Sequence, residues 1–183
     1  QLQAAAALAA LDINAAATIA RLHALGLSVS LVSGDHPAAV ERIATSLGIA
    51  DWRSAHSPVE KSAVIEALSR QGRRVLMVGD GLNDSPSLAA AYVSASPATA
   101  ADISQTVADM VFQGNELAPL AIAIEAARRA RAIMRTNLAL AIGYNVLMVP
   151  LAFAGWVTPW LAAAAMSTSS LLVMANSFRA KRT

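Results

Sequence analysis

The sequence contains 43 consecutive residues without a formal charge, at positions 136–178. A helix needs about 20 apolar residues to cross the hydrocarbon core of a bilayer, so this stretch has the length of two crossings. Gly155 and Pro159 predict a turn within it, and a tryptophan follows each of them, as is typical of a membrane interface. We therefore predict transmembrane helices at about residues 137–154 and 159–177.

The charged residues on either side of this stretch are all basic, whereas the connection between the two predicted helices carries none. Because basic residues favour the cytoplasmic side of a membrane, both ends of the hairpin are predicted to be cytoplasmic, in a multi-pass protein of the cell (inner) membrane in contact with lipid. A buried helical hairpin in a large soluble protein is the alternative, and the flanking bases disfavour it. These bases are Arg128, Arg129, Arg131, Arg135, Arg179, Lys181 and Arg182.

The formal net charge of +2 hides two different regions. Residues 1–125 hold all 12 acids and 7 of the 14 bases. We predict a cytoplasmic domain over 1–125, a basic linker helix over 126–136, the transmembrane part over 137–178 and a cytoplasmic tail over 179–183. The small total charge gives no strong attraction for nucleic acid, so no nucleic-acid partner is expected. The absence of cysteine excludes disulfides and thiolate metal sites.

Short apolar runs alternate with helical patterns over residues 15–112. The runs at 27–32 and 75–78 predict strands, and a Gly-Asp pair follows each of them closely. Shorter strands are expected at 92–95 and 110–112. Strands separated by helices at this spacing favour an α/β fold with a parallel sheet and crossover helices.

Two helices are clearly delimited between the main predicted strands. The first begins with Pro37 and stops at Gly48; the second runs from Pro58 to about Arg70 and stops at Gly72. A serine immediately before the second helix, with a glutamate three residues later, forms a capping-box pattern that fixes its start.

Both Gly-Asp pairs lie after strand ends, where an open parallel sheet binds its ligands. Carboxylates at Asp80 and Asp84 can share one hard cation such as Mg²⁺, which also accepts water and substrate phosphate oxygens. Lys61, in the first turn of the capped helix, offers a fixed positive charge for a phosphate. A lone lysine is more often a solvated surface charge, but the three features in this order favour a magnesium and phosphate site. Its candidate residues are Ser33, Gly34, Asp35, Lys61, Asp80, Asn83 and Asp84.

Three segments carry a resemblance to P-type ATPases. The eleven residues at 78–88 resemble their hinge motif, Ser33-Gly34-Asp35 resembles their Thr-Gly-Asp, and residues 58–61 resemble their Pro-x-x-Lys. The resemblance implies a haloacid-dehalogenase-like, Rossmannoid phosphorylation domain that uses ATP and Mg²⁺.

The same resemblance assigns roles to the matching residues. It implies that Ser33 and Lys61 contact an aspartyl phosphate and that Asp80 binds Mg²⁺. It further implies that Asn83 and Asp84 shape the same pocket, with Asp84 beside the metal. The Asp-Lys-Thr-Gly-Thr motif that supplies the phosphorylated aspartate in this family does not occur here. The chain is therefore expected to be a C-terminal portion, inactive alone, whose partner is the missing N-terminal part.

Polar residues in the predicted spans suggest an ion site, because such residues are costly in a membrane. The candidates are Tyr144 and Asn145 in the first span, with Met166 and Ser170 in the second. Thioether and neutral oxygen ligands without a carboxylate favour a soft, singly charged ion such as Cu(I). The alternative is that these residues only hold neighbouring helices together.

The spans resemble the last two helices of heavy-metal (type IB) P-type ATPases of the copper-transporting subgroup. In that subgroup the matching tyrosine, asparagine, methionine and second serine belong to the intramembrane copper sites. The resemblance implies export of Cu(I) or Ag(I), with the ion delivered by a copper chaperone. The stretch at 94–102 and the turn at 157–159 are most similar to the branch that serves cytochrome oxidase assembly.

Two other functions remain open from the sequence. A membrane-anchored phosphatase of the haloacid dehalogenase type would need its own nucleophilic aspartate in an Asp-x-Asp motif, which is not present. A truncated pump fragment that only binds a partner is the non-catalytic alternative. The histidines His23, His36 and His56 lack metal-ligand spacing and are given no role in a site.

Overall fold

The computed structural model describes residues 2–6, 14–80, 82–100, 102–114 and 116–178, with the backbone alone for 2–6, Leu82 and Ile103. Two compact units are present, the first ending at Ile122 and the second beginning at Ala123. The predicted domain limits at 125 and 136 remain predictions. Several predicted features lie outside the described residues, namely Gly81 of the second loop, the tail 179–183 and its three bases Arg179, Lys181 and Arg182.

Six strands form one parallel sheet among the described residues of the first unit. They are β1 (Leu2–Ala6), β2 (Ser28–Val32), β3 (Asp51–Arg53), β4 (Arg74–Val78), β5 (Val93–Pro97) and β6 (Met110–Phe112). Their order across the sheet is β3-β2-β1-β4-β5-β6, and every neighbouring pair is parallel. The predicted α/β fold with a parallel sheet is confirmed. The predicted strands lie within one or two residues of β2, β4, β5 and β6, whereas β1 and the short β3 were not predicted.

Five helices of the first unit connect the strands. They are α1 (Ala15–Ala24), α2 (Pro37–Leu47), α3 (Pro58–Arg70), α4 (Ser85–Ala90) and α5 (Asp102–Val107), with a 3₁₀ turn at Leu82–Asp84 before α4. The predicted bounds of α2 and α3 are confirmed. Gly48 ends α2 with a φ of +70°, a left-handed conformation that favours glycine.

The start of α3 is fixed by a capping box. The backbone N–H of Glu60 donates to the Ser57 hydroxyl, and the Glu60 carboxylate accepts from the Ser57 backbone N–H. Ile65 then packs against Val75, Met77 and Leu88 in a cluster that joins α3, β4 and α4. Each such buried side chain stabilises the fold by about 1.5–3 kcal/mol. The packing holds the beginnings of α3 and α4 close together at one end of the sheet.

The second unit contains a helical hairpin. Its helices are α6 (Ala118–Phe153), which starts in the first unit and includes the basic segment and the first apolar stretch, and α7 (Pro159–Phe178). Both are long and apolar enough to cross a membrane. Gly155, with a φ of +75°, makes the turn between them, and the Thr158 hydroxyl accepts from the backbone N–H of Leu161 at the start of α7. The observed turn lies where glycine and proline predict it.

Candidate functional site

The strand order places the two Gly-Asp loops on either side of β1, the strand from which the chain adds strands first on one side and then on the other. From β1, the chain adds β2 and β3 on one side and β4, β5 and β6 on the other. Ser33 follows β2 and Gly79 follows β4, so both loops open at the carboxyl edge beside β1. Strands two apart are separated by about 10 Å, which is the width of a small crevice. Open α/β sheets bind ligands at such a point, where the order in which strands are added changes side.

The loop after β2 is fastened to the segment that precedes α3. The His56 N–H donates to the Ser33 carbonyl at 3.0 Å, and the Ala55 N–H donates to the Asp35 carbonyl at 3.0 Å. A Cβ at Gly34 would lie 3.2 Å from the His56 carbonyl oxygen, so glycine permits this close approach. Because α3 begins two residues after His56, the same contacts locate the start of that helix beside the first loop.

Within the first loop, the two predicted polar residues bond to each other. The Ser33 hydroxyl donates to Asp35 Oδ2 at 2.8 Å and accepts from the Asp35 backbone N–H at 3.2 Å. Ser33 is half-buried and Asp35 is exposed. This turn presents a hydroxyl and a carboxylate at the crevice edge.

Lys61 and Asp84 form the buried centre of the site. Lys61 Nζ donates to Asp84 Oδ1 at 2.8 Å, and the two side chains are only 11% and 5% exposed. Asp84 is the residue before α4, where an aspartate would commonly cap the helix, but its side chain makes no cap bond. The carboxylate is instead directed to the lysine on α3, which ties the first turns of the two helices together.

Gly79 explains how Asp84 reaches this position. A Cβ added at Gly79 would lie 2.7 Å from the Cβ of Asp84, closer than real side chains approach. Glycine is therefore required at position 79 because the loop brings Asp84 too close for any side chain there, and not because of a left-handed backbone conformation. This contact was not predicted from the sequence.

Asp80 is next to this ion pair. Burial raises the pKa of Asp80, and the nearby carboxylate of Asp84 raises it further, while its backbone N–H and the charge of Lys61 lower it. Two carboxylates thus face one ammonium group, and the excess negative charge suits a cation. Among the described residues, no group of three or more acidic or histidine side chains is gathered for a metal. The donors present fit Mg²⁺, which needs one or two carboxylates and takes its remaining ligands from water and phosphate.

The predicted site is thus gathered in part. The structure brings Lys61, Asp80 and Asp84 together, and it places Ser33 and Asp35 at the other side of the crevice. Asn83 is exposed in the 3₁₀ turn. The sequence did not indicate the bond between the hydroxyls of Ser62 and Ser87, 3.3 Å apart, which links α3 to α4 behind the ion pair.

The second candidate site lies on the hairpin, where half-buried residues recur along one stripe of each helix. All the other described residues from 134 to 178 are exposed except Val157. We call this stripe the seam. Spacings of three and four residues are typical of one helix face. The seam residues are Ile133, Asn137, Ala141, Tyr144, Met148 and Leu151 on α6, with Ala165, Ser169, Val173 and Asn176 on α7.

Three of the four predicted membrane-site residues come immediately after a seam residue. Asn145 follows Tyr144, Met166 follows Ala165, and Ser170 follows Ser169. Each step rotates about 100° around its helix. Seen from one end of the hairpin, successive side chains turn clockwise around one helix and anticlockwise around its antiparallel neighbour. The residue after a seam residue therefore projects to the same side of the pair on both helices. Asn145, Met166 and Ser170 therefore share one face of the hairpin, and Tyr144 lies in the seam beside it.

This face contains a thioether and neutral oxygens. The Met166 residue is 68% exposed, and the Asn145 amide donates to the Ala141 carbonyl at 2.9 Å, which leaves its oxygen able to accept or ligate. The predicted residues are therefore arranged compatibly with a shared ligand. Ser169, which was not among the predicted site residues, lies in the seam.

Comparison with known proteins agrees with the fold of the first unit. A model of the haloacid dehalogenase-like hydrolases matches residues 2–91. The fold and the loops at its carboxyl edge thus define a haloacid dehalogenase-like domain, followed by two apolar helices.

Relatives extend this similarity over both units. The chain is 57% identical to the nitrogen fixation protein FixI of Bradyrhizobium diazoefficiens over 168 residues, covering 92% of this chain and 23% of that protein. It is 39% identical to the copper-exporting P-type ATPase of Bacillus subtilis over 164 residues, covering 90% and 20%. A crystal structure of a zinc-transporting PIB-type ATPase superposes with a TM-score of 0.88 at 32% identity, covering 94% and 28%.

Over both units the chain is similar to heavy-metal (type IB) P-type ATPases, and its two apolar helices together with these relatives show a membrane protein. The chain spans 20–28% of the length of these relatives.

Proposed function

We propose that this chain is part of an ATP-driven pump that exports Cu(I) across the cell membrane. The observation that carries the proposal is the buried pair of Lys61 and Asp84 beside Asp80, at the crevice of a haloacid dehalogenase-like domain. A lysine held in a water-poor crevice can stabilise charge on a transferred phosphoryl group, and phosphoryl transfer depends mainly on such positioning and electrostatics. ATP is the phosphoryl donor in this proposal.

Mg²⁺ would be held by Asp80, with Asp84 beside it, and when bound it would neutralise phosphate charge. Asp84 orients Lys61, and on phosphate binding the Ser33 hydroxyl would exchange its bond to Asp35 for one donated to a phosphate oxygen. Gly34 keeps the backbone of the first loop close to α3, while Asp35 accepts from the Ser33 hydroxyl. Asn83, at the exposed turn, would line the same pocket.

The hairpin would provide part of the copper pathway. Asn145, Met166 and Ser170 share one face, and Tyr144 borders it. The donor set contains one soft sulfur and neutral oxygens. Residues 136–178, which include both apolar segments, contain no aspartate or glutamate. Such a set matches a soft monovalent ion, Cu(I) or Ag(I), better than a divalent one. The similarity to the copper-exporting ATPase of Bacillus subtilis supports the same cargo.

Orientation and partners complete the proposal. The arginines of α6 precede the apolar stretch and, by the positive-inside rule, support a hairpin with both ends in the cytoplasm. A cytoplasmic copper chaperone would deliver the ion, and the remainder of the pump would provide the phosphorylated aspartate. The assignment to the branch that serves cytochrome oxidase assembly is part of the proposal.

The cargo can be tested with one pair of matched substitutions in the full-length pump. Met166→Leu removes the thioether and keeps the size of the side chain, whereas Met174→Leu makes the same change at an exposed position of α7 outside the proposed site. We expect Ag(I)-stimulated ATP hydrolysis to need at least ten-fold more Ag(I) after Met166→Leu, about the effect of losing 1.4 kcal/mol of binding. Met174→Leu should have no effect. Equal responses of the two variants, or no stimulation of the unmodified pump, would contradict the proposal.

The phosphoryl site has its own test. Asp80→Asn removes the charge that would hold Mg²⁺, and Glu41→Gln neutralises an exposed acid on α2 as a control. We expect Asp80→Asn to abolish Mg²⁺-dependent ATP hydrolysis and inhibition by vanadate, while Glu41→Gln retains both. Hydrolysis that persists after Asp80→Asn would exclude this magnesium site.

A further inference from the structure

A group of three polar side chains connects the two hairpin helices at their open end. Asn176 Nδ2 donates to Asn137 Oδ1 at 2.8 Å, and Asn137 Nδ2 donates to the Ser177 hydroxyl at 3.1 Å. The Ser177 hydroxyl in turn donates to the Val173 carbonyl of its own helix at 2.8 Å. Each bond gives the next group a defined role, so the side chains of Asn137 and Ser177 are held in one arrangement. We call these three residues the clamp.

The clamp differs from the side-chain hydrogen bonds that Thr136, Asn145 and Thr168 make in the hairpin helices. Thr136, Asn145 and Thr168 each bond to a carbonyl four residues earlier in the same helix. Such bonds satisfy a polar group locally and say nothing about the neighbouring helix. The clamp, by contrast, crosses from α6 to α7, and its asparagines are both half-buried seam residues.

The small side chains in the rest of the seam contribute little to the axial register of the helices. They include Ala141, Ala165 and Ser169, which allow close approach but interlock little. In a membrane, burial of apolar surface gives no preference for one register, because lipid is as apolar as the helices. A directional hydrogen bond does give such a preference, as a single buried asparagine does in coiled coils.

The register set by the clamp determines which predicted site residues are level. Asn137 is level with Asn176 and Ser177, so moving seven residues along each helix brings Tyr144 level with Ser169 and Ser170. Met166 is level with residues 147 and 148 of α6. Asn145 therefore lies between Ser170 and Met166 in depth, within about 5 Å of each along the axis. All three project from the same face of the hairpin.

We propose that Asn137, Asn176 and Ser177 are positioning residues that set the register of α6 and α7 and so place Asn145 between Ser170 and Met166 for one soft metal ion. This inference rests on the proposed copper site, but the register itself can be measured without metal. A slip by one helical turn would move Asn145 by about 5.4 Å relative to Met166, farther than a metal–ligand bond can adjust.

Disulfide cross-linking measures the register in the membrane-embedded chain, which contains no cysteine of its own. Ala141→Cys with Val173→Cys joins seam positions that the clamp makes level, whereas Ala141→Cys with Ser169→Cys joins positions one turn apart. We expect the level pair to cross-link faster. Asn137→Leu, which keeps the volume and removes the hydrogen bonds, should lower the ratio of the two rates by about 3- to 18-fold, the range for interhelical hydrogen bonds in membranes.

Thr136→Val is the matched control, because the Thr136 hydroxyl bonds only within α6 in the described structure. It should leave the ratio unchanged. An unchanged ratio after Asn137→Leu would overturn the clamp as the determinant of register.

Ag(I) binding to the full-length pump then tests the positioning role. Asn137→Leu should weaken Ag(I) binding by a similar factor, although it removes no proposed ligand. Adding the oxidised Ala141→Cys and Val173→Cys pair should restore the affinity, because a disulfide fixes the register and offers no thiolate. The oxidised Ala141→Cys and Ser169→Cys pair also stabilises the hairpin but fixes a register one turn away, so it should not restore the affinity. Rescue by both pairs, or by neither, would overturn the proposal. Absence of Ag(I) binding by the unmodified pump would refute the copper site, while the cross-linking ratio would still judge the register.

Discussion

Lys61 Nζ lies 2.8 Å from Asp84 Oδ1, and this ion pair joins the first turns of α3 and α4 where both side chains are nearly excluded from solvent. A buried pair of this kind gains little overall, but removal of one partner leaves the other charge buried alone. The pair therefore makes the local fold depend on the same residues that the site requires.

We expect Lys61→Met to lower the opening free energy of β4 by about 3–5 kcal/mol, measured by amide hydrogen exchange of the chain. The exposed pair of Arg70 and Glu66 is the control, since its side chains are 74% and 61% exposed. Arg70→Met should change the same free energy by at most about 0.5 kcal/mol. The double change Lys61→Met with Asp84→Leu should lower the opening free energy by less than the sum of the two single losses. Additive losses would show that the two charges are not coupled.

Gly79→Ala should disrupt the site through Asp84. The added methyl group would overlap the Asp84 Cβ, so the carboxylate must move away from Lys61. We expect at least a ten-fold loss of Mg²⁺ affinity, corresponding to about 1.4 kcal/mol, in isothermal titration with a phosphate analogue. Gly143→Ala is a suitable control, because it lies within α6 with no atom in contact range of a new Cβ. Undiminished affinity in Gly79→Ala would mean that Asp84 does not need its observed position.

The raised pKa of Asp80 predicts a pH dependence. The folded protein holds this proton more tightly than the unfolded chain, so the linked stability is fully present below the ordinary pKa of 3.8 and is lost as the pH rises through the higher folded value. At neutral pH the ionised carboxylate thus destabilises the fold when no cation is present. Asp80→Asn should slow hydrogen exchange of β4 in Mg²⁺-free buffer. Added Mg²⁺ should slow exchange in the unmodified chain and have no effect on Asp80→Asn. If Mg²⁺ slowed exchange in Asp80→Asn and not in the unmodified chain, the cation would bind elsewhere.

The capping box of α3 predicts the opposite dependence. Hydrogen bonds from Ser57 lower the pKa of Glu60, so the linked stability is present above its ordinary pKa of 4.5 and is lost as the pH falls through the lower folded value. Ser57→Ala should destabilise α3 by about 1 kcal/mol at neutral pH. The difference from the unmodified chain should shrink in acid, as followed by exchange of the α3 amides. Ser46→Ala removes an exposed hydroxyl that bonds within its own helix, and it should show no such dependence on pH.

Features with local causes were predictable from the sequence. The bounds of α2 and α3 follow from a proline at the start and a glycine near the end, and the hairpin turn follows from Gly155 and Pro159. The strand β3 has only three residues and no distinctive pattern, so it was missed. The extent of α6 was predicted only in part: a basic linker helix over 126–136 and a span over 137–154 were expected as separate elements, whereas one helix contains both and begins at Ala118.

The sequence alone determined the class of the chain: a parallel α/β domain with a magnesium and phosphate motif, followed by two uncharged segments that are each long enough to cross a membrane. These features follow from hydrophobic periodicity, from the prolines and glycines that begin and end helices, and from residue chemistry, all of which act over a few residues. Only the tertiary structure decided that β1 separates the two Gly-Asp loops, that Gly79 makes room for Asp84, and that Asn137 meets Asn176 across the hairpin. Those relationships join residues far apart in the chain, and packing, which no local pattern encodes, selects them.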